Sequence, residues 1–397
     1  MRRVALLILA ATASAVCDAD VVSDLNETAL KLAGPPAAVT TANVLALANL
    51  AMFDAANAVE KRFAPYRPVA TPPAGVQAEA AALAAGCATL AALLLPEQKT
   101  AVATACDGMA ARLPAGAAGE DARRFGESVA AGLVASRSDA GLTAANRYRP
   151  FTTAGTYVPT TLPIGWELQK ARPLMIPSAS QFRPGPPPPL TGELWARDYN
   201  EVKAVGSRTS ATRTPEQTAT AQFYAAPGFA QFVASIADNA PPSTSPAASA
   251  RYYALLYAVL VDTAIAQFDA KYTYNFWRPV TAIRNGELDG NAATEPDLAW
   301  TSLVEAPMHP EYPCAHCATG TAYATLLASM VAPGRRLAIR GGSDARREFA
   351  TAPDLAAEIV NARVYSGIHF RNSAEAGAAL GKQLGEYVVA TQLRPIR

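Results

Sequence analysis

The spacing of apolar residues predicts helices along most of this chain, with one long interruption. From about Val21 to Arg147 the sequence is rich in Ala and Leu, and apolar residues recur at helical intervals. Nothing in this stretch alternates apolar and polar residues as a strand would. Helices are predicted near Asn43 to Val59, Ala78 to Leu95, Glu97 to Leu113, Leu194 to Val205, Pro215 to Phe223, Ala247 to Tyr272, Ala318 to Met330, Arg346 to Ser366 and Ala374 to Leu393. The sequence therefore predicts an all-α fold of two packed helical bundles.

The interruption is a proline-rich segment from about Tyr148 to Leu190. Proline removes a backbone donor and disfavours helix in the residue before it, so the segment is expected to be extended. A flexible linker is the alternative, but Phe151, Trp166 and Phe182 offer apolar anchors that a solvated linker would lack. We therefore expect a strap that packs on the helices. The predicted organisation is a signal peptide at 1–19, an N-terminal helical domain at 20–147, the strap at 148–190 and a C-terminal catalytic domain at 191–397.

The first residues are typical of an export signal. A basic start, Met1 to Arg3, precedes an apolar run from Val4 to Ala11 and the small residues Ala13 to Ala15. The run is too short to span a bilayer, which takes about 20 residues, although a buried N-terminal helix is the alternative. Tyr252 to Val261 is also strongly apolar but is closed by Asp262, which favours a core helix. We expect an exported protein, periplasmic or secreted, with no stable membrane span.

Composition limits the partners that such a protein can have. Only 17% of the residues are charged, and 34 Lys and Arg face 33 Asp and Glu without a long basic run. This balance argues against nucleic acid as a partner. It also means that any cluster of cations must be confined to one part of the protein. We expect small-molecule substrates, and the sequence leaves open whether the protein is a monomer or a homodimer.

Five cysteines are present, and export would permit disulfides. Cys87 and Cys106 lie on successive predicted helices and could pair. Cys314 and Cys317 form a CxxC whose redox state is left open by the spacing. One CxxC without a second ligand pair is a weak basis for a zinc site. Cleavage of the signal on either side of Cys17 is compatible with the sequence.

Two segments concentrate residues suited to an anion. In the first, Lys271 and Arg278 stand near a predicted helix end, and an ammonium and a planar guanidinium both suit oxyanions. Such cations are also common as partners of the helix dipole. In the second, His309 to Cys317, a loop enters a helix and offers free backbone N–H groups to an anion. His316 stands at that helix N-terminus, where it could transfer protons.

A third segment, Arg363 to Ser373, supplies another guanidinium and His369, a candidate nucleophile or metal ligand. A lone histidine is more often a surface or core residue than a functional one. Here, however, the chain has only three histidines, and all of them lie in the second and third segments. The three segments therefore predict one oxyanion-binding pocket in the C-terminal half.

Together the segments resemble the superfamily that joins vanadium-dependent haloperoxidases with type 2 phosphatidic-acid-phosphatase-like enzymes. The pattern of that superfamily is Lys-x6-Arg-Pro, then Pro-Ser-Gly-His, then Ser-Arg-x5-His-x3-Asp. This chain matches it at Lys271, Arg278, Pro279, Pro313, His316, Arg363 and His369. It departs at Cys314, Ala315, Ala362 and Ser373. The stretch from Asn26 to Asp54 and the strap also look like the soluble bacterial haloperoxidase-like branch, so the likeness covers nearly all of the mature protein.

The resemblance implies a set of roles for the oxyanion pocket. Lys271, Arg278 and Arg363 would neutralise the oxygens of the ion. Residue 314 and the N–H groups near Ala315 would add contacts to the same oxygens. A thiol at Cys314 is a weaker donor than the usual hydroxyl, and a disulfide with Cys317 would remove that donor while protecting the sulfur from oxidants.

Two chemistries are compatible with this pocket. With vanadate as cofactor, His369 would be the axial ligand and His316 would manage protons while hydrogen peroxide oxidises a halide. With a phosphoester as substrate and no cofactor, His369 would attack phosphorus and His316 would protonate the leaving alcohol. His309 lies five residues before Cys314, where some brominating relatives place a histidine by the metal; a surface histidine is an equal alternative.

The missing acid at Ser373 removes an expected orienter of His369. Asp262 and Asp269, one helix upstream, are the hypothesised substitutes, pairing with the arginines of the site. The preferred function is a vanadium-dependent haloperoxidase. The alternatives are an exported acid phosphatase that forms a phosphohistidine and an exported oxyanion-binding protein without turnover. Halide preference and organic substrate are not determined by the sequence.

Overall fold

The computed structural model describes residues 20–32, 39–138, 140–142, 144–225, 228–243, 245–342 and 345–396. The predicted signal peptide, with Cys17, lies outside these described residues. Within them, two short strands accompany thirteen α-helices. The helices are α1 (Val21–Leu32), α2 (Val39–Glu60), α3 (Ala78–Leu93), α4 (Pro96–Ala110), α5 (Ala117–Ser136), α6 (Glu193–Val205), α7 (Pro215–Phe223), α8 (Gly228–Ser235), α9 (Pro246–Tyr274), α10 (Pro279–Arg284), α11 (Ala315–Ala328), α12 (Ala352–Tyr365) and α13 (Arg371–Thr391). The prediction of an all-α fold is confirmed.

One predicted helix begins too early. The strands β1 (Leu337–Arg340) and β2 (Arg346–Phe349) pair antiparallel, with Leu337 opposite Phe349. The helix predicted from Arg346 therefore starts only at Ala352. Thr351 caps it by accepting the N–H of Asp354, and a proline stands in its first turn. Pairing with β1, a tertiary contact, decides the conformation of the four residues of β2.

The centre of the protein is built around α9, which packs against α2, α11 and α13. Apolar residues occur on every side of this 29-residue helix, the pattern of a helix enclosed by others. By length and composition, α2 and α9 could each cross a membrane. Both are instead core helices here, since 72% of the most apolar window of α2 and 100% of that of α9 are buried.

Close packing of α13 on α11 fixes the start of α11. A Cβ on Gly377 would lie 2.4 Å from the Cys314 carbonyl oxygen, and one on Gly381 would lie 2.1 Å from the Ala318 carbonyl oxygen. Only glycine permits this approach at either position. The N-terminus of α11 is thereby held against the first turns of α13, beside the third segment.

The proline-rich segment lies against the helices through two aspartates of α9. Asp262 is fully buried and accepts the N–H groups of Leu174, Met175 and Ile176 at 2.6, 2.7 and 3.0 Å. Nearer the end of α9, Asp269 pairs with Arg183 at 2.7 Å. The segment is therefore attached to the helix that carries Lys271. The predicted N-terminal domain at 20–147 and C-terminal domain at 191–397 stay a prediction.

Asp262→Asn is expected to lower the free energy of unfolding by about 2–4 kcal/mol, because an amide has one acceptor oxygen for three buried donors and brings an NH₂ group into their midst. Burial raises the pKa of Asp262 to about 6, so the measurement belongs at pH 7.5 or above, where the carboxylate is ionised. Urea unfolding provides the value. The matched control is Asp269→Asn, whose partner Arg183 is 32% exposed, with an expected loss of about 1 kcal/mol or less. Equal losses in the two variants would contradict this account of the strap.

A disulfide joins Cys87 of α3 to Cys106 of α4, as the predicted positions allowed. It ties the two helices of the N-terminal half that follow α2.

Candidate active site

The end of α9 and the start of α10 bring two cations together. Lys271 lies in the last turn of α9, which Asn275 ends in the left-handed conformation at φ 48°. The chain then returns so that Arg278 immediately precedes α10, with Pro279 as the first helical residue. Lys271 is 0% exposed and Arg278 is 2% exposed. The Lys-x6-Arg-Pro spacing is thus a helix end, a turn and a helix start.

Both cations donate to backbone carbonyl groups rather than to carboxylates. Lys271 Nζ donates to the carbonyls of Pro310 and Glu311 at 2.8 and 2.9 Å. Arg278 Nε donates to the His309 carbonyl at 3.0 Å, and its Nη1 donates to the Ile368 carbonyl at 2.9 Å. The first segment therefore holds the second and third in place through their backbone carbonyl groups.

The second segment ends in a disulfide at the N-terminus of α11. Cys314 and Cys317 are bonded, and Cys314 Sγ also accepts the Cys317 N–H at 3.1 Å. The expectation that Cys314 donates to an oxyanion is therefore wrong, because its sulfur carries no proton. Ala315 begins the helix, and the first-turn N–H groups of Ala315 and His316 have no intrahelical acceptor. These N–H groups remain available to an anion.

Arg363 and His316 each present a buried polar atom that lacks a partner. Arg363, in the last turn of α12, donates Nη1 to the Tyr224 carbonyl, but its Nε has no hydrogen-bond partner among the described residues. His316 Nε2 is likewise buried without a partner. Groups of this kind are costly in a protein interior unless a ligand satisfies them. Arg363 Nε is a donor that an oxyanion oxygen would satisfy, and His316 Nε2 is a ring nitrogen that can exchange a proton.

His369 is held by a residue that the sequence did not single out. Its Nδ1 lies 2.7 Å from Glu311 Oε1, and Arg278 Nη1 lies 3.3 Å from its Nε2. Glu311 is 0% exposed, and its Oε1 also accepts the Phe370 N–H at 3.1 Å. The sequence could have indicated Glu311, because it is the one acidic residue of the second segment and lies between two prolines beside the motif.

His309 belongs to the same cluster. It is 7% exposed, and its Nδ1 lies 3.0 Å from Arg278 Nη2. The same nitrogen lies 3.1 Å from the Pro310 carbonyl oxygen, so the ring is enclosed by the first and second segments. The alternative of a surface histidine is therefore excluded.

The hypothesis that Asp262 and Asp269 pair with the arginines of the site is not supported. Asp262 faces the backbone of the strap, and Asp269 pairs with Arg183 of the strap. Each carboxylate is already occupied by a partner in the strap. Their role is to fix the strap.

The electrostatic balance of the pocket is strongly positive. Lys271, Arg278 and Arg363 are buried together, and Glu311 is the carboxylate that acts on the pKa of the first two. Burial lowers the pKa of Arg278 to about 10 and that of Arg363 to about 9, so both stay charged at neutral pH. Burial and Arg278 lower the pKa of Lys271 well below its ordinary value. Three cationic side chains facing one carboxylate are best stabilised by a bound multivalent anion.

The two histidines of the superfamily motif, His316 and His369, are neutral at pH 7. Burial lowers the pKa of His316 well below its ordinary value, and Arg363 adds to the shift. Burial also lowers the pKa of His369, with Arg278 and Lys271 adding to it. Each ring therefore has a nitrogen lone pair for a proton or a ligand atom.

A cavity of about 660 Å³ opens onto this cluster at His309, Ala315, His316 and Arg363. Its walls are largely apolar and include Leu168, Phe229, Phe268 and Met308. A volume of this size is typical of a small-molecule site. Arg363 and His316, whose Nε and Nε2 atoms lack partners, both line this cavity.

The fold and the site define a helical protein with a buried, cationic oxyanion pocket. Residues 251–397 match the family described as the VCPO second helical-bundle domain. These residues carry all the motif positions, and their match supports the superfamily predicted from the three segments. No curated protein matches the chain in sequence.

Solved structures extend the likeness to nearly the whole chain. A bacterial vanadium-dependent iodoperoxidase is 22% identical with a TM-score of 0.75, over 94% of this chain and 95% of its own. A holo-type bacterial vanadium-dependent chloroperoxidase is 17% identical with a TM-score of 0.69, over 91% and 93%. The apo-type bacterial chloroperoxidase is 16% identical with a TM-score of 0.67, over 89% and 94%. The chain therefore has the fold of vanadium haloperoxidases.

Cys314→Ser combined with Cys317→Ala is expected to bind vanadate about tenfold more tightly than the wild type, because a hydroxyl at position 314 adds one charge-assisted hydrogen bond to the anion. Vanadate-dependent protection in a thermal unfolding titration measures the change. The control is Cys314→Ala with Cys317→Ala, which loses the same disulfide without adding a donor. Equal affinity in the two double variants would show that residue 314 does not face the anion.

Proposed function

We propose that this protein is a vanadium-dependent haloperoxidase, which uses hydrogen peroxide to oxidise a halide. The observation that carries the proposal is the buried pocket in which Lys271 and Arg278 share one carboxylate, Glu311, while Arg363 is buried near Arg278 and a neutral His369 lies beside Glu311. The fold is shared with bacterial vanadium-dependent iodoperoxidase and chloroperoxidase structures, which supports the choice of activity.

The residues present fit vanadate. Arg363 Nε is a buried donor without a partner, and a tetrahedral oxyanion has the oxygens to receive it. His369 Nε2 carries no proton, because it faces the donor Nη1 of Arg278, and a neutral imidazole nitrogen is the form that coordinates a metal centre. We infer that Lys271, Arg278 and Arg363 would hold the oxygens and that His369 would supply the ligand nitrogen.

Vanadate, when bound, supplies the centre at which peroxide is activated towards a halide. The side chains of this chain do the remaining work. The three cations bind the anion and keep its charge stabilised in a site from which the helices exclude water. His316, neutral and in the wall of the cavity, can take a proton at Nε2 from incoming peroxide and return it to a leaving oxygen.

Purified protein loaded with orthovanadate should oxidise iodide, and in turn bromide or chloride, when hydrogen peroxide is added. Removal of vanadate by chelation and exchange into phosphate should abolish the reaction. Absence of oxidation with all three halides would contradict the proposal. Hydrolysis of p-nitrophenyl phosphate by the vanadate-free protein, inhibited by vanadate, would instead support the phosphatase alternative.

We further infer that the protein is exported. The predicted signal peptide supports export, and so do the two disulfides, which persist in oxidising compartments. The small-molecule substrates would then be peroxide and halide available outside the cytoplasm.

A further inference from the structure

The link between Glu311 and His369 has a consequence for the ligand nitrogen. We propose that Glu311 is the positioning residue of His369: it accepts the Nδ1 proton and thereby keeps Nε2 free for the bound oxyanion. This inference rests on the proposed function, in which His369 is the ligand of vanadate. The hydrogen bond itself is a property of the protein without vanadate.

The tautomer follows from the donors and acceptors around the ring. Arg278 Nη1, at 3.3 Å from Nε2, can only donate, so Nε2 must accept. The single ring proton is then on Nδ1, where Glu311 Oε1 lies at 2.7 Å. A carboxylate that accepts the distal N–H of a ligand histidine fixes the ring orientation and raises its basicity as a ligand.

Glu311 is itself held from three directions. Its carbonyl accepts a proton of Lys271 Nζ at 2.9 Å, and its N–H donates to the Phe276 carbonyl at 2.9 Å. Its Oε1 accepts the Phe370 N–H at 3.1 Å, which belongs to the residue after His369. The second segment is therefore tied to the first by its backbone and to the third by this carboxylate. Such fixed neighbours are what hold a functional side chain to a narrow geometry.

The same arrangement explains why Ser373 stands where the superfamily motif has Asp. Glu311 Oε2 and Ser373 Oγ are both buried, and the residues Glu311 and Ser373 both line a cavity of about 10 Å³. A carboxylate at position 373 would face Glu311 across this small space. Two carboxylates there would repel each other in a site with little water. The acid that orients the histidine has thus moved from the third segment to the second.

Nuclear magnetic resonance of ¹⁵N-histidine-labelled, vanadate-free protein tests the tautomer directly. The chain has only three histidines, so His309→Gln and His316→Gln variants assign the signals. The wild type is expected to show a protonated Nδ1 and an unprotonated Nε2 for His369. Glu311→Gln, which keeps an acceptor, should preserve this pattern, and Glu311→Leu, which removes it, should not. A wild-type His369 with its proton on Nε2 would overturn the proposal, even if Glu311→Leu failed to fold.

Vanadate binding supplies the second readout. Both variants lose the same negative charge, so a comparison between them isolates the hydrogen bond from the electrostatic effect. Glu311→Leu is expected to bind orthovanadate at least about tenfold more weakly than Glu311→Gln. Equal affinities would overturn the positioning role. A chain that bound vanadate but oxidised no halide would contradict the proposed function while leaving both readouts intact.

Discussion

Arg363→Met should bind vanadate at least about a hundredfold more weakly than the wild type, because it loses two charge-assisted hydrogen bonds of roughly 1.5–3 kcal/mol each. The same change should raise the stability of the vanadate-free protein by about 1–2 kcal/mol, since a buried cation in a pocket with excess positive charge is replaced by an apolar side chain of similar length. The lost hydrogen bond to the Tyr224 carbonyl offsets part of that gain. Arg363 is thus expected to strengthen vanadate binding while it lowers the free energy of unfolding of the vanadate-free protein.

Urea unfolding with and without orthovanadate measures both effects in one experiment. The matched control is Arg371→Met, eight residues further along, which loses an ion pair with Glu201 and does not contact the motif residues. That variant should keep its response to vanadate and gain no stability. Wild-type affinity in Arg363→Met, or a vanadate-free variant less stable than the wild type, would contradict the charge balance inferred for the pocket.

His369→Ala is expected to lower the rate of iodide oxidation by vanadate-loaded protein by about a thousandfold or more, because the one ligand supplied by a side-chain nitrogen is removed. The cavity left by the ring should admit free imidazole. Glu311 remains to accept a proton from it, and Arg278 remains to donate to its other nitrogen. Millimolar imidazole is therefore expected to restore part of the activity.

Chemical rescue separates loss of a ligand from loss of the fold. Imidazole should leave Arg363→Met inactive, because that variant lacks a cation rather than a ring. Iodide oxidation by His369→Ala at the wild-type rate, without imidazole, would show that His369 is not the ligand. Thermal unfolding of both variants checks that each remains folded.

Local patterns in the sequence predicted most of the helices, and the resemblance to the superfamily pattern proposed five residues of the pocket. Lys271 and Arg278 occur together because a helix end, a turn and a helix start place them there. His316, Arg363 and His369 are proposed because their segments resemble the superfamily pattern at these positions. Each of these features depends on residues that are near neighbours in the chain, where periodicity and capping carry information.

The residues that the sequence did not resolve depend on distant partners. Glu311 meets His369 across a separation of 58 residues, and Asp262 meets the strap across 86 to 88 residues. Asp262 was hypothesised to pair with an arginine of the site, but its partners are backbone N–H groups of the strap. The strand β2 was missed for a different reason: it forms a local hairpin with β1, and its four residues were assigned to the helix that follows them. The sequence around Glu311 and Asp262 does not indicate which distant residues they contact.

Vanadium anomalous scattering from crystals soaked in orthovanadate most directly tests whether this pocket holds vanadate at His369. The expected result is one strong peak per chain, enclosed by Lys271, Arg278 and Arg363 and within bonding distance of His369 Nε2. A vanadate-saturated crystal with no peak there, or with its only strong peak elsewhere on the protein, would contradict the assignment of the site.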